Sequence, residues 1–313
     1  MNEKICPLKI RKGMSIPDLL REYQKGVFGA GKIAEAVSIY TEMLEKGCRV
    51  FLGLAGALVP AGMGSMVADL IRDDMVHVIV STGANVTHDL IEAFGGSHLK
   101  SVLGEDWELR ERGVDRIYDA FIEDESFILF EEKINEILKE AEPVTSVSGL
   151  LKEIGKRLKS PDSFVRQAYL KDVPVFVPAF TDSILGLHTF LYSQEHDIQL
   201  DHVRDIGKMV ELTSTGAGGS TNTETETKAG TILLGGGVPK NFIFQAMLLS
   251  GHSFAYALQI TTDRPEYGGL SGATLEEAIS WGKVSKDSRL CTVYCDVTIA
   301  FPLIVAGVRD QYR

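Results

Sequence analysis

One pattern recurs along the chain: a run of apolar, often β-branched residues, then a turn of small residues, then apolar positions at helical spacing. This pattern covers residues 48–71, 76–94, 173–191 and 231–249. Further apolar strands are predicted at 256–263 and 291–307. Strands that are apolar throughout and alternate with helices are typical of parallel sheets covered on both faces. The pattern therefore predicts an α/β fold.

The order of these elements predicts a Rossmann-like, doubly wound parallel sheet with helices on both faces. In such sheets ligands bind where the carboxyl ends of the strands meet the turns, so the small-residue turns fall on the expected binding edge. In the second repeat, Asn85 or Thr87 is a candidate cap for the helix that follows the strand.

Helical patterns at 15–45 and 126–141 predict outer helices that cover the sheet. We expect residues 1–45 to form a helical segment that packs on one large domain, residues 46–313. Residues 213–227 contain no large apolar side chain, which predicts a mobile loop, either a lid over a site or an insertion without a role.

Composition narrows the class of protein. With 313 residues, 44% of them hydrophobic and 24% charged, the chain is in the range of globular proteins. The formal net charge of −11 disfavours nucleic acid as a ligand and suits a cationic partner. There is no apolar run long enough for a membrane span and no apolar signal region at the N-terminus, so a cytoplasmic protein is expected. The cysteine and histidine spacings match no metal-binding motif.

The glycine run Gly235, Gly236 and Gly237 follows a predicted strand and precedes a predicted helix. Bare backbone N–H groups there can approach a phosphate at the helix N-terminus, but the motif alone is weak and a tight structural turn is the alternative. Asp182 and Asp296 lie at or near predicted strand ends. A carboxylate in that place can bind the hydroxyls of a ribose or cap a helix.

A second candidate feature is the segment SGATLEEAISWGK, residues 271–283. Thr274 and Glu277 fit a capping box, which gives Glu277 a purely structural alternative. The helix ends in Trp281, a glycine and Lys283. Desolvation beside the indole would favour the neutral, nucleophilic amine, and the indole face attracts cations. The alternative is a lysine that only interacts with the helix dipole.

These segments resemble the deoxyhypusine synthase family. The likeness includes SGATLEEAISWGKV with the apolar strand after it, LLGGGVPK, VFVPAFTDSILG, VIVSTGANVTHDL and RVFLGLAGALVPAG. It runs in order from about residue 20 to the end, and SGA followed by SWGK is its most specific part.

The resemblance implies a homotetrameric, NAD-dependent transferase with residues 46–313 as its catalytic domain. In the family, NAD dehydrogenates spermidine, 1,3-diaminopropane leaves, and the butylimine passes to an enzyme lysine, matched here by Lys283. The group then moves to one lysine of a translation factor and is reduced. The positions that match cofactor contacts are Thr82, Gly83, Ala84, Asp182, Gly235, Gly236, Gly237, Thr262, Ser271 and Asp296. The expected substrate-binding residues are Glu277, Trp281, Lys240 and Asn241.

The chain also departs from the family pattern. Leu187 and Leu270 stand where the family has aspartates that hold the ammonium ends of the polyamine. Asn241 replaces a histidine, and Thr87 and His88 replace an acidic pair. An ammonium that faces leucine loses charge-assisted hydrogen bonds worth on the order of 1.5 to 3 kcal/mol each. Two alternatives therefore stay open: transfer to a free diamine or with another amine, and a non-catalytic NAD-binding subunit.

Overall fold

The computed structural model describes residues 4–214 and 228–312. The chain divides into two compact units. The first unit contains Met1–Gly53 and Lys208–Arg313, and the second contains Leu54–Gly207. The predicted boundary between a helical segment 1–45 and a domain 46–313 stays a prediction.

The described residues form strands and helices throughout both units. The strands are β1 (Arg49–Leu54), β2 (Val78–Ser81), β3 (His98–Lys100), β4 (Val114–Ile117), β5 (Ala120–Glu123), β6 (Val144–Thr145), β7 (Val175–Phe176), β8 (Gln199–Leu200), β9 (Ala229–Leu234), β10 (Phe254–Thr261) and β11 (Val284–Tyr294). The α-helices are α1 (Ile16–Tyr23), α2 (Phe28–Glu45), α3 (Gly64–Arg72), α4 (Gly83–Phe94), α5 (Asp106–Glu111), α6 (Asp124–Leu138), α7 (Val147–Arg157), α8 (Phe164–Leu170), α9 (Ile184–Ser193), α10 (His202–Ser214), α11 (Gly237–Ser250), α12 (Glu277–Ser280) and α13 (Val297–Gln311). A π-helical turn covers Val59–Met63, and a 3-10 turn covers Pro265–Tyr267.

In the first unit the strands lie in the order β11-β10-β9-β1. The ladders of β10 with β9 and β11 are parallel, and Leu258 lies opposite both Ile232 and Cys291. All three side chains are buried, so the centre of this sheet is apolar on adjacent strands. Helix α2 packs against β10, β11 and α13, and α1 packs against α2 and α13. The predicted helical pattern at 15–45 is therefore confirmed as two helices.

The second unit contains the parallel pair β2 and β7, with Ile79 opposite Val175. A separate three-stranded antiparallel sheet has the order β3-β5-β4, and β6 pairs with β8. Helix α8 packs against α3, α4 and α7, while α6 packs against α4 and α9. Asp89 of α4 is buried and accepts hydrogen bonds from the backbone N–H groups of Phe164 and Val165 at 2.9 and 3.2 Å, which caps α8.

Parallel strands flanked by helices confirm the predicted α/β fold class. No helix in the described ranges combines the length and apolarity that a bilayer span requires. The predicted helix at 126–141 corresponds to α6.

The strand predicted at 291–307 is wrong in its second half, because β11 ends at Tyr294 and α13 begins at Val297. Asp296 caps this helix, since its side chain accepts a hydrogen bond from the backbone N–H of Thr298 at 2.8 Å. The buried positions of α13 recur at helical spacing, namely Val297, Ala300, Phe301, Ile304, Val305 and Val308. The apolar residues between them made the segment look like a continuous strand.

Two smaller predictions also need correction. Thr82 caps α4 by accepting a hydrogen bond from the Asn85 N–H at 3.4 Å, so Asn85 and Thr87 lie inside the helix. Of the loop predicted at 213–227, residues 213 and 214 close α10, and 215–227 lie outside the described residues.

Candidate active site around Lys283

A cavity of about 210 Å³ lies in the first unit, between α11 and the segment that contains α12. Its lining contains all the residues predicted for the amine site. They are Lys240, Asn241, Glu277, Trp281 and Lys283, and they are joined by Phe244, Gln245, Leu270, Ala273, Thr274 and Ala278. Residues that are more than 40 positions apart in the sequence therefore share one small space.

Lys283 follows the end of α12, where its backbone N–H donates to the carbonyl of Ala278 at 3.1 Å. Its Nζ lies 5.2 Å from the centre of the Trp281 ring. That distance is within the range of a cation–π contact. The lysine is half-buried, whereas the indole is 58% exposed and open to a further ligand. The arrangement gives an amine and an aromatic face to the same cavity.

The predicted capping box forms only in part. The Thr274 hydroxyl accepts a hydrogen bond from the Glu277 N–H at 3.2 Å. The reciprocal bond from the Thr274 N–H to the Glu277 carboxylate is not formed within the part of the chain that the structure describes. The helix begins at Glu277 itself, so the carboxylate is at the first helical position and faces the cavity. The capping contact thus uses only the backbone N–H of Glu277, and its carboxylate can interact with a ligand in the cavity.

Lys240 is a buried amine on α11, and only 4% of its surface is exposed. Its Nζ donates to Gln259 Oε1 at 2.9 Å and also to the carbonyl of Ala273. Burial lowers the pKa of Lys240 to about 8; the carboxylate of Glu277 raises it, and the amine of Lys283 lowers it further.

Gln259 is a residue that the sequence reasoning missed. It lies in the middle of β10 and is 1% exposed. Its Nε2 donates to the carbonyls of Gly235 and Ser271 at 2.9 and 2.8 Å. A polar residue within the apolar run AYALQIT was the available signal, because a buried carboxamide must have hydrogen-bond partners.

The glycine turn between β9 and α11 is shaped by a close approach of backbones. A Cβ at Gly236 would lie 2.4 Å from the Cα of Ser271. Gly236 is also the N-cap of α11 and offers no side-chain cap, so the first N–H groups of this 14-residue helix have no side-chain acceptor there. Bare backbone and an uncapped helix N-terminus fit a phosphate group.

The carboxyl ends of β9, β10 and β11 lie side by side. The Gly235 N–H donates to the Ile260 carbonyl at 2.8 Å, and the Cys295 N–H donates to the Thr261 carbonyl at 3.2 Å. Thr262 directly follows β10 and is exposed. Gly235, Thr262 and Asp296 therefore lie along one edge of this sheet.

Asp296 has the structural role that the sequence left open. Its Oδ1 accepts from the backbone N–H and from the hydroxyl of Thr298, which caps α13. The carboxylate is exposed and has a second oxygen that is not needed for the cap. A cap and a hydroxyl ligand are compatible on this side chain.

The remaining predicted cofactor residues belong to the second unit. A Cβ at Gly83 would lie 2.4 Å from the Cβ of Ser183, so the turn before α4 lies against the turn before α9. The Ser183 hydroxyl caps α9 by accepting from the Gly186 N–H at 3.0 Å. Asp182 is therefore not the cap, and its side chain is exposed. The Thr82 hydroxyl donates to the Gly56 carbonyl at 2.7 Å, and Ala84 follows in α4.

The two leucines that depart from the family pattern have different locations. Leu270 lines the cavity beside Lys283 and is 49% exposed. Leu187 lies on α9 of the second unit and is 58% exposed. Across the described residues, no group of three or more His, Cys, Asp or Glu side chains is arranged to hold a metal ion.

Comparison with known proteins gives consistent matches. A family model for deoxyhypusine synthase matches residues 18–308. A Methanosarcina mazei protein named probable deoxyhypusine synthase 1 is 46% identical over 306 residues, which is 97% of this chain and 93% of that protein. A protein of the same name from Archaeoglobus fulgidus is 40% identical over 309 residues, which is 98% of each chain.

Among solved structures, one from Entamoeba histolytica that carries the same enzyme name matches with a TM-score of 0.66. The two chains are 18% identical, and the match covers 96% of each. At that identity the likeness concerns the fold alone.

Proposed function

The chain belongs to the deoxyhypusine synthase family, and from this premise we propose how its own residues perform the family's reaction. The enzyme is a transferase that acts in hypusine biosynthesis: it moves the aminobutyl group of spermidine to a lysine of a translation factor in an NAD-dependent reaction. The family assignment does not favour the free-diamine paralogue or the non-catalytic subunit.

One observation supports the assignment of residues: Lys283, Trp281, Glu277 and Lys240 line one cavity. In this proposal Lys283 is the nucleophile. Its amine attacks the imine carbon of the oxidised substrate and forms a new carbon–nitrogen bond. The bond between that carbon and the nitrogen of the aminopropyl part breaks, and 1,3-diaminopropane leaves. The lysine then holds the aminobutyl group as an imine until the acceptor lysine displaces it.

The other side chains of the cavity bind the cationic chain of the amine. The Glu277 carboxylate attracts an ammonium group, and the exposed face of Trp281 accepts a second cation or the methylene chain. Asn241 offers neutral hydrogen-bond groups at the position of the family histidine. Binding in a small cavity keeps the substrate carbon close to Lys283.

When bound, NAD supplies the uptake and return of a hydride, which makes the transfer redox-neutral. We propose that in the first unit the N–H groups of Gly236 and Gly237, at the N-terminus of α11, hold a phosphate. Gly235 shapes the same turn, and its own N–H donates to the Ile260 carbonyl. Thr262, Ser271 and Asp296 lie along or against the same edge and would contact the rest of the cofactor. In the second unit, we assign Thr82, Gly83, Ala84 and Asp182 to cofactor binding, because their turns lie against each other.

The proposed partners are spermidine or a related polyamine and the lysine-bearing translation factor, and the proposed assembly is a homotetramer. The net charge of −11 supports attraction of cationic ligands of this kind.

The direct test uses purified protein with NAD and spermidine, with and without the acceptor protein. We expect NAD-dependent release of 1,3-diaminopropane, and transfer of label from spermidine to the acceptor. Lys283→Arg keeps the charge and most of the volume but lacks the nucleophile, so it serves as the matched control. Diaminopropane release that is equal in wild type and Lys283→Arg would contradict the assignment.

A further inference from the structure

Gln259 connects three segments around the cavity with one side chain. Its carboxamide accepts from the amine of Lys240 and donates to the carbonyls of Gly235 and Ser271. Two carbonyl oxygens on one side and an amine on the other fix which end of the carboxamide is nitrogen and which is oxygen. The glycine turn, the segment before α12 and the lysine of α11 are thus held in one arrangement.

These hydrogen bonds occupy two of the three positions on the Lys240 nitrogen that can carry a hydrogen or a lone pair. The nitrogen has two acceptors, Gln259 Oε1 and the carbonyl of Ala273. An ammonium has three N–H groups, and a neutral amine has two N–H groups and one lone pair. With two positions occupied by the acceptors, the third is left for a group in the cavity that Lys240 lines. In the neutral amine this third position is a lone pair.

The amine substrate enters this cavity with a proton to lose, because a protonated nitrogen has no electron pair to assist its dehydrogenation. We propose that Lys240 takes this proton and that Gln259 is the residue that positions Lys240 for it, an inference that rests on the proposed function. The substrate N–H bond breaks, its electron pair stays on the substrate nitrogen, and a new N–H bond forms with the lone pair of Lys240. Lys240 returns the proton to solvent before the next turnover.

The charges around Lys240 agree with this role. Burial lowers the pKa of Lys240 to about 8, so the amine changes protonation close to neutral pH. Two charged groups act on it: the Glu277 carboxylate on α12, which raises the pKa, and the Lys283 amine after that helix, which lowers it. Gln259 contributes a neutral acceptor, where a carboxylate would hold the proton on the lysine.

Gln259→Glu and Gln259→Met test the proposal in opposite directions. The glutamate places a carboxylate beside the amine and raises the pKa of Lys240, whereas the methionine removes the acceptor and lowers it. The rate of diaminopropane release should fall as the pH drops below the pKa of Lys240. We expect this acidic limb to move to higher pH by about one unit in Gln259→Glu and to lower pH in Gln259→Met. A purely structural residue would lower the rate without moving the limb.

Thr231→Val is the matched control, since Thr231 is a buried polar residue on the adjacent strand β9 whose hydroxyl bonds to the Phe51 carbonyl, away from the cavity. In Thr231→Val the rate of diaminopropane release should fall at the same pH as in the wild type. Competitive labelling of Lys240 with acetic anhydride, followed by mass spectrometry, gives a readout that needs neither NAD nor turnover. The pH at which labelling of Lys240 is half-maximal should be highest in Gln259→Glu and lowest in Gln259→Met. It should be the same in the wild type and Thr231→Val.

Equal labelling midpoints and equal limbs in the wild type and Gln259→Met would overturn the proposal, even where Gln259→Glu does not fold. Labelling midpoints that shift as expected, while the wild type releases no diaminopropane, would sink the proposed function and the proton transfer with it. The contact between Gln259 and Lys240 would then be purely structural.

Discussion

The amine of Lys283 lies 5.2 Å from the centre of the Trp281 ring, and one glycine separates the two residues in the sequence. The short helix α12 ends just before them, so the chain turns and presents both side chains to the cavity. A nucleophilic amine and a surface that attracts cations therefore reach the substrate together.

Trp281 should contribute to amine binding more than to the chemical step. Replacing Trp281 with leucine removes the π face and should raise the KM for spermidine about fivefold, since a cation–π contact is worth about 1 kcal/mol. Trp281→Phe keeps an aromatic face and should lose less. Steady-state kinetics check both variants. A fall in kcat at unchanged KM would show that the indole acts on the reaction itself.

Leu270 should set how tightly the amine is held. It lines the cavity at a position where the resemblance to the family implies an aspartate, and it is half-exposed. Leu270→Asp adds a carboxylate and should lower the KM for spermidine about tenfold, since a charge-assisted hydrogen bond contributes about 1.5 kcal/mol. The neutral isostere Leu270→Asn should have a much smaller effect. If the two variants behave alike, charge at this position does not determine amine binding.

The close contact between Gly236 and Ser271 should be essential for cofactor binding. The added methyl group of Gly236→Ala would lie 2.4 Å from the Ser271 Cα, so the turn must move. We expect NAD affinity to fall about tenfold or more, which corresponds to one lost phosphate hydrogen bond, and the thermal midpoint to drop. Calorimetric titration measures the affinity. Gly269→Ala is the control, because a Cβ at Gly269 meets nothing within 4 Å; equal affinities in the two variants would refute the contact's role.

Asp89 should make stability depend on pH. Burial raises its pKa from 3.8 to about 7 in the folded protein, although the Ser163 hydroxyl and two backbone N–H groups oppose this. A folded pKa above the unfolded one gives stability that is complete below about pH 4 and is lost as the pH rises through about 7.

Asp89→Asn removes the titrating group. The difference in unfolding free energy between wild type and Asp89→Asn should therefore shrink as the pH rises from about 4 to 7, by a few kcal/mol at most. Urea unfolding across this range is the measurement. Ser163→Ala keeps the carboxyl group but removes a hydrogen bond that lowers its pKa, so its pH dependence should be at least as steep as that of the wild type. If the unfolding free energies of wild type and Asp89→Asn change with pH in the same way, the raised pKa of Asp89 is contradicted.

Local patterns made much of the fold and the cavity predictable. Apolar strands such as β9 and β10 have a clear signature, and Lys283, Trp281 and Glu277 are close in the sequence. The structure brings these residues together in one cavity with Lys240 and Asn241, and their assignment to an amine site stays a prediction.

Other features could not be read from the sequence because they depend on distant contacts. Asp89 caps a helix that begins 75 residues later, and Gln259 bonds to three segments of the first unit. The strands β3, β4 and β5 are three or four residues long and partly polar, so they lack a strong pattern. Helix α13 was hidden because its apolar residues are nearly continuous and follow a strand directly.

The most direct test of the account is to trap the group on Lys283. Purified protein is incubated with NAD and spermidine, reduced with borohydride, digested and analysed by mass spectrometry. We expect an aminobutyl group on the peptide that contains Lys283, present only when NAD is supplied. A stable adduct on Lys240 or another lysine, with Lys283 unmodified while diaminopropane is released, would contradict it.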